Sequence, residues 1–203
     1  MRLSFAAALA ALSLAACQKP AQQVAADDMT MGNPKAPVTM IEYASVACPH
    51  CGRFNNEVFP AFKAKYIDTG KVFYVSREAL TGDPAIAAAG FLTARCAGKA
   101  KYFQVVDAIY HAQAQLETGG QAREILQNIA RSAGLTDAQF NACITDEKAQ
   151  AALTDRWQHY GVENNINSTP TFVINGKVYS KGEMSLAELD AAVAQATSAK
   201  PAT

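Results

Sequence analysis

Val38-Thr39-Met40-Ile41-Glu42-Tyr43, followed closely by Cys48-Pro49-His50-Cys51, decides how this chain folds. The first run is rich in residues that favour a pleated, half-buried surface and reads as a strand. Pro49 stands where a helix can begin, because the first turn has no use for its missing N–H. Phe54, Val58, Phe62 and Tyr66 then recur at every fourth position and give one apolar helix face. Gly70 ends that helix, and Lys71 to Ser76 reads as a second strand, parallel to the first. The result is a β-α-β unit with two cysteines at the strand-to-helix junction.

That placement carries chemistry. Two thiols separated by two residues at a helix start can close a small disulfide without unwinding the helix. The first, Cys48, faces unsatisfied backbone N–H groups and the positive end of the helix dipole. Both favour the thiolate, which is the nucleophile and the better leaving group. His50 can add a positive charge or a hydrogen-bond donor. The rival use of such a pair is a metal site. Structural zinc takes four ligands, and the sequence offers no second Cys-x-x-Cys or spaced His pair, so no metal site is expected. A copper or zinc carrier built on Cys48, His50 and Cys51 is the alternative from the binding class.

Outward from this centre, residues 83–164 are helical in pattern: Ala85–Ala97, Lys101–Ala114, Arg123–Ala133, Asp137–Thr145 and Ala149–Tyr160, punctuated by Gly98, Gly119-Gly120 and Gly134. Thr136 with Gln139 three residues on has the form of a capping box. Strand character returns at Thr171 to Ile174, Asn175-Gly176 signals a two-residue hairpin, and Lys177 to Ser180 is its partner. Ser185, with Glu188 three residues later, opens a last helix whose inner face is Leu186, Leu189 and Val193. Residues 34–82 and 165–203 therefore form one α/β domain, and 83–164 is an all-helical insertion between its halves. His111, His159 and Trp157 read as surface or packing residues.

The N-terminus has a different character. Residues 1–16 have a short basic start and an apolar run of signal-peptide length, too short to span a bilayer comfortably. The run ends Leu14-Ala15-Ala16-Cys17, which resembles the lipobox of bacterial lipoproteins, with Cys17 as the lipidated residue; an ordinary cleavage site is the alternative. Residues 17–33 read as a flexible tether. The 203 residues carry 18 Lys and Arg against 18 Asp and Glu, without a basic cluster, so nucleic acid is not an expected partner. Of five cysteines, removing Cys17 leaves four, an even number suited to an oxidising compartment. If Cys48 pairs with Cys51, a structural disulfide joins Cys96 and Cys143, both expected to face a common core; two buried free thiols are the alternative.

Glu42 is a carboxylate within a strand, six residues before Cys48. Carboxylates are seldom buried without a role, although strand alternation could also turn it to solvent. Ser168-Thr169-Pro170-Thr171-Phe172 opens a strand with a proline whose peptide bond is expected to be cis, an ordinary trans proline at a strand start being the alternative. Glu42, Cys48-Pro49-His50-Cys51, the helical insertion, and Thr169-Pro170 leading a hairpin at Asn175-Gly176 together resemble the DsbA family of bacterial dithiol oxidases, within the thioredoxin superfamily. The resemblance spans Pro34 to the last helix. It implies a thioredoxin fold, β-α-β … β-β-α, and a periplasmic disulfide oxidase needing no cofactor beyond the Cys48–Cys51 disulfide. It also implies roles: Cys48 as attacking and attacked sulfur, Cys51 as resolving thiol, and His50 as the residue tuning the thiolate, with Pro49 part of the same catalytic motif. Glu42 would be the buried carboxylate serving Cys51, and Thr169-Pro170 the substrate-docking segment. Partners would be reduced exported proteins and a membrane reoxidant of the DsbB type. Thr169 departs from the Val of the best-known oxidases and keeps an isomerase or reductase direction open. The short tether has no room for a DsbC-type dimerisation domain, so a monomer is expected.

Overall fold

The computed structural model describes residues 24–118 and 121–198; Cys17 and the apolar N-terminal run lie outside the described residues. Five strands form one sheet: β1 (Met29–Met31), β2 (Val38–Ala44), β3 (Val72–Glu78), β4 (Thr171–Ile174) and β5 (Lys177–Lys181), in the order β1-β3-β2-β4-β5. β2 and β3 run parallel and the other pairs antiparallel. Asn175 and Gly176 both have positive φ, 45° and 80°, the mirror-image turn whose twist matches that of the flanking strands.

The helix after β2 begins as α1 (Pro49–Arg53) and continues through a π-helical turn at Phe54–Val58, α2 (Phe59–Phe62) and a second π-helical turn at Lys63–Ile67. Pro60 explains the first widening, since it has no N–H to offer the carbonyl of Asn56. Its apolar face still packs as the periodicity requires: Phe54, Phe62 and Tyr66 meet Met40, Tyr74 and Phe172 of the sheet and Leu189 and Val193 of the last helix.

The insertion comprises α3 (Pro84–Cys96), α4 (Tyr102–His111), α5 (Gln113–Thr118), α6 (Ala122–Ser132), α7 (Asp137–Ile144) and α8 (Glu147–Arg156), and α9 (Leu186–Ser198) closes the fold. Thr136 and Gln139 exchange both bonds of a capping box, as do Ser185 and Glu188. The segment expected as one helix over Lys101–Ala114 breaks at Ala112 and restarts at Gln113. The helical core is continuous with the underside of the site, for Val46, Cys48 and Cys51 pack in the same cluster as Phe91, Tyr102, Ile109 and Leu116.

Two expectations need correction. Residues 17–33 read as tether, yet Met29–Met31 pairs with Tyr74–Ser76 as β1. Asp28 is buried against the Arg77 guanidinium at 3.1 Å, and that charge pair anchors the segment to the sheet. Cys96 and Cys143 are joined by a disulfide with Cα atoms 6.2 Å apart, but not in the core: Cys96 is exposed and Cys143 half-buried. Cys96 is the last residue of α3 and lies beyond the apolar turn of Phe91 and Leu92.

Candidate active site

β2 delivers the chain to the site and the Ser45–Ala47 loop turns it. Ser45 Oγ donates to Thr81 O at 2.7 Å and accepts from Ala47 N, which fixes the turn against the loop before α3. Cys48 is the N-cap of α1, extended at φ −103° and ψ 117°, with Pro49 at the first helical position. Both thiols are free; Cys48 is 8 % exposed and Cys51 fully buried.

Their environments drive them apart. The Cys51 thiol donates to the Cys48 sulfur, and this bond is the largest influence holding Cys48 down; burial opposes it, and the Thr169 hydroxyl and the backbone N–H groups of Cys51 and His50 add to it. Cys48 falls from 9.0 to about 5. Only the part of that drop below ambient pH counts, so at pH 7 the reduced form gains about 3 kcal/mol, which makes the couple roughly 60 mV more oxidising. Burial instead pushes Cys51 well above its ordinary value, reinforced by its bond to Cys48 and the charges of Cys48 and Glu42.

Glu42 lies on the sheet face shared with Met40 and covered by the helix that carries Cys51. β2 is flanked by β3 and β4 and covered on both sides, since Ile41 and Tyr43 pack with Trp157 and Tyr160 on the other face. The strand therefore has no solvent side for Glu42 to take. Its carboxylate accepts from Tyr74 Oη at 2.8 Å. Burial, against that hydrogen bond and helped by the Cys48 charge, raises it to about 7. It also lines a cavity of about 340 Å³ with Tyr74, Phe103, Lys63 and Asp107, which connects a buried proton site with polar groups near the surface.

The Thr169-Pro170 peptide bond is cis. The Cys48 thiol lies 3.3 Å from the Thr169 carbonyl, to which it donates when protonated. The Thr169 hydroxyl sits 2.8 Å from that of Thr81. His50 is placed differently from its expected part. Its imidazole Nδ1 lies 2.6 Å from both Glu183 Oε1 and Arg53 Nη2, on the exposed side of α1. What His50 gives the Cys48 sulfur is its backbone N–H. Glu183 was not singled out from the sequence, nor were Tyr74, Thr81 and Gln113; all reach the site from distant segments without a motif of their own. Among the described residues, no group of three or more His, Cys, Asp and Glu side chains converges as a metal cage would.

A β-α-β/β-β-α sheet, a helical insertion and a dithiol at a helix start facing a cis-proline define the class: a thioredoxin fold carrying a Cys-x-x-Cys centre. Residues 24–195 match the family described as thioredoxin, and the chain belongs to it. Over 151 residues it is 32 % identical to a Rickettsia bellii protein provisionally named a protein-disulfide oxidoreductase, covering 74 % of this chain and 58 % of that one. The chain thus spans little more than half the length of the curated relatives it matches. Wolbachia pipientis alpha-DsbA1 superposes with a TM-score of 0.76 at 29 % identity, over 86 % of this chain and 92 % of that one. Bacillus subtilis BdbD, at 20 % identity and a TM-score of 0.71 over 84 % and 92 %, shares the fold.

Proposed function

We propose that this protein is a thiol:disulfide oxidoreductase that donates disulfides to exported proteins through Cys48 and Cys51. The observation that carries this reading is the opposed setting of the two thiols. Cys48 receives three backbone and hydroxyl donors besides the Cys51 thiol, whereas Cys51 is buried and held protonated.

The chemistry runs as follows. A substrate thiolate attacks the Cys48 sulfur of the Cys48–Cys51 disulfide; that bond breaks, a mixed disulfide forms at Cys48, and Cys51 leaves with the electron pair and takes up a proton. A second substrate thiolate attacks the substrate sulfur of the mixed disulfide, and Cys48 leaves as a stabilised thiolate. The substrate is oxidised by two electrons and the enzyme reduced by two. Reoxidation requires Cys51 to lose its proton again. Glu42, with a pKa of about 7, can both give and accept it near neutral pH. No cofactor beyond the dithiol is needed. Thr169, next to the cis-proline, docks the substrate backbone.

The partners are reduced, partly folded exported proteins and a membrane reoxidant of the DsbB type, and the enzyme acts as a monomer in the periplasm, held to a membrane through a lipidated Cys17. The depressed Cys48 favours the oxidase direction over reduction, because it stabilises the reduced product. The test measures disulfide formation in a reduced substrate such as ribonuclease, beside insulin reduction, using the oxidised protein. Stoichiometric oxidation of the substrate is expected. No thiol exchange, with tight stoichiometric copper or zinc on the reduced protein, would replace the enzyme with a metal carrier.

A further inference from the structure

Gln113 is the first residue of α5, in the insertion, yet its side chain is spent on the redox centre. It is 8 % exposed. Its carboxamide nitrogen donates to the carbonyl of Val46 at 2.8 Å and to that of Cys48 at 3.0 Å, so both N–H bonds are used. Its oxygen packs on α1 so closely that a Cβ on Gly52 would collide with it. The break in the helix at Ala112 is what starts α5 at this residue.

The two carbonyls are not interchangeable with others in the loop. β2 ends at Ala44, so Val46 has left the ladder and its oxygen has no strand partner. The Cys48 oxygen already accepts the N–H of Gly52 at 3.1 Å, the first bond of α1; Gln113 supplies its second donor. Cys48 is extended while the following residues are helical. Small rotations of the peptides on either side of Cys48 therefore swing its sulfur away from the N–H groups of His50 and Cys51. We infer that Gln113 is a positioning residue for Cys48: by holding the Val46 and Cys48 carbonyls it fixes the bend that aims the sulfur at those donors. This rests on the thiol-exchange reading above and names the part the insertion plays in it.

Charge does not confuse the effect. The titratable groups facing Cys48 are Cys51 on its own helix and Glu42 on β2. His50 and Arg53 on α1 gather around Glu183 on the exposed side, and Asp83 caps α3. Gln113 does not titrate, so replacing it by another neutral residue changes no charge. A moved Cys48 midpoint then reports geometry.

The experiment compares the wild-type chain, Gln113→Met and Leu126→Ala, each with Cys48 and Cys51 reduced and the Cys96–Cys143 bridge intact, by thiolate absorbance against pH. Gln113→Met keeps the length and loses both donors; the Cys48 midpoint is expected to rise by about one pH unit, with alkylation at pH 5 slowed about fivefold. Leu126→Ala opens a void in the insertion core, where Leu126 is buried; it should unfold at lower urea and leave the midpoint in place. A folded Gln113→Met with an unmoved midpoint overturns the inference. So does a midpoint that Leu126→Ala moves as far. Should Gln113→Met not fold, the wild-type protein decides by nuclear magnetic resonance. Scalar couplings from the Gln113 amide nitrogen to the carbonyl carbons of Val46 and Cys48 are expected, and their absence overturns the inference. An ordinary thiol midpoint in the wild-type protein would instead defeat the exchange reading, a separate failure.

Discussion

Cys48–Cys51 and Cys96–Cys143 are the same pair of side chains in two settings, and each setting is the reverse of what burial alone would suggest. The pair proposed to open and close is the buried one, at 8 % and 0 % exposure. The Cys96–Cys143 bridge has one end exposed. Loop length accounts for part of the difference. Closing Cys96 to Cys143 constrains 47 residues of separation, whereas closing two positions three apart constrains little of the unfolded chain. The balance between open and closed Cys48–Cys51 is therefore set by what surrounds the sulfurs. There, hydrogen bonds from Cys51, Thr169 and the helix start favour the open, charged form of Cys48. Burial opposes that charge, and the hydrogen bonds outweigh it. The exposed end of the Cys96–Cys143 bridge leaves it more accessible to reductant than a core disulfide would be.

The largest effect is expected at Cys48. Cys48→Ser should reduce disulfide transfer to background in a ribonuclease oxidation assay, while the double change Cys96→Ala and Cys143→Ala leaves transfer measurable. If both abolish it in folded protein, the division of labour is wrong. The double change should instead lower unfolding free energy by up to roughly 4 kcal/mol in urea, the chain-entropy figure for that loop before any strain, with the Cys48–Cys51 potential unmoved.

Glu42 sharpens the contrast through pH. Its folded pKa is raised from 4.5 to about 7. Stability associated with its neutral form is complete below 4.5 and is lost as pH rises through 7. Glu42→Gln removes that loss. The reduced variant should match the wild type at pH 4 and exceed it by up to about 3 kcal/mol at pH 8 in urea titrations, while reoxidising more slowly. Equal stability at both pH values would mean a solvated carboxylate. The smallest effect is expected at Glu183. Its carboxylate is lowered by Arg53 and His50 against partial burial, but the group sits at the exposed edge, where such pairs contribute about 0–1 kcal/mol. Glu183→Gln should shift Cys48 by less than half a pH unit in a thiolate titration. A larger shift would assign the His50 imidazole the tuning part that the backbone N–H groups hold here.

The legible parts of the molecule were those whose cause is local. The cysteines at a helix start, the positive-φ turn at Asn175-Gly176 and the capping boxes at Thr136 and Ser185 each depend on residues within a few positions. Glu42 was half legible: the sequence marks it as a strand carboxylate, and only the cover on both faces of β2 removes its solvent side. What the sequence hid were partners from afar, such as Asp28 with Arg77 and Gln113 with Cys48. These obey no spacing rule. Pro60 is a different case, because a proline within an apolar helical run is itself a signal of altered helical bonding that the four-residue periodicity passes over.

The surroundings of Cys48 are expected to keep it ionised in the reduced protein. Absorbance of the thiolate against pH, with Cys48 and Cys51 reduced and the Cys96–Cys143 bridge closed, tests it directly. A single transition near pH 5 is expected, lost in Cys48→Ser, with Cys51 silent until well above pH 9. A first transition close to pH 9, where an ordinary thiol titrates, would contradict it.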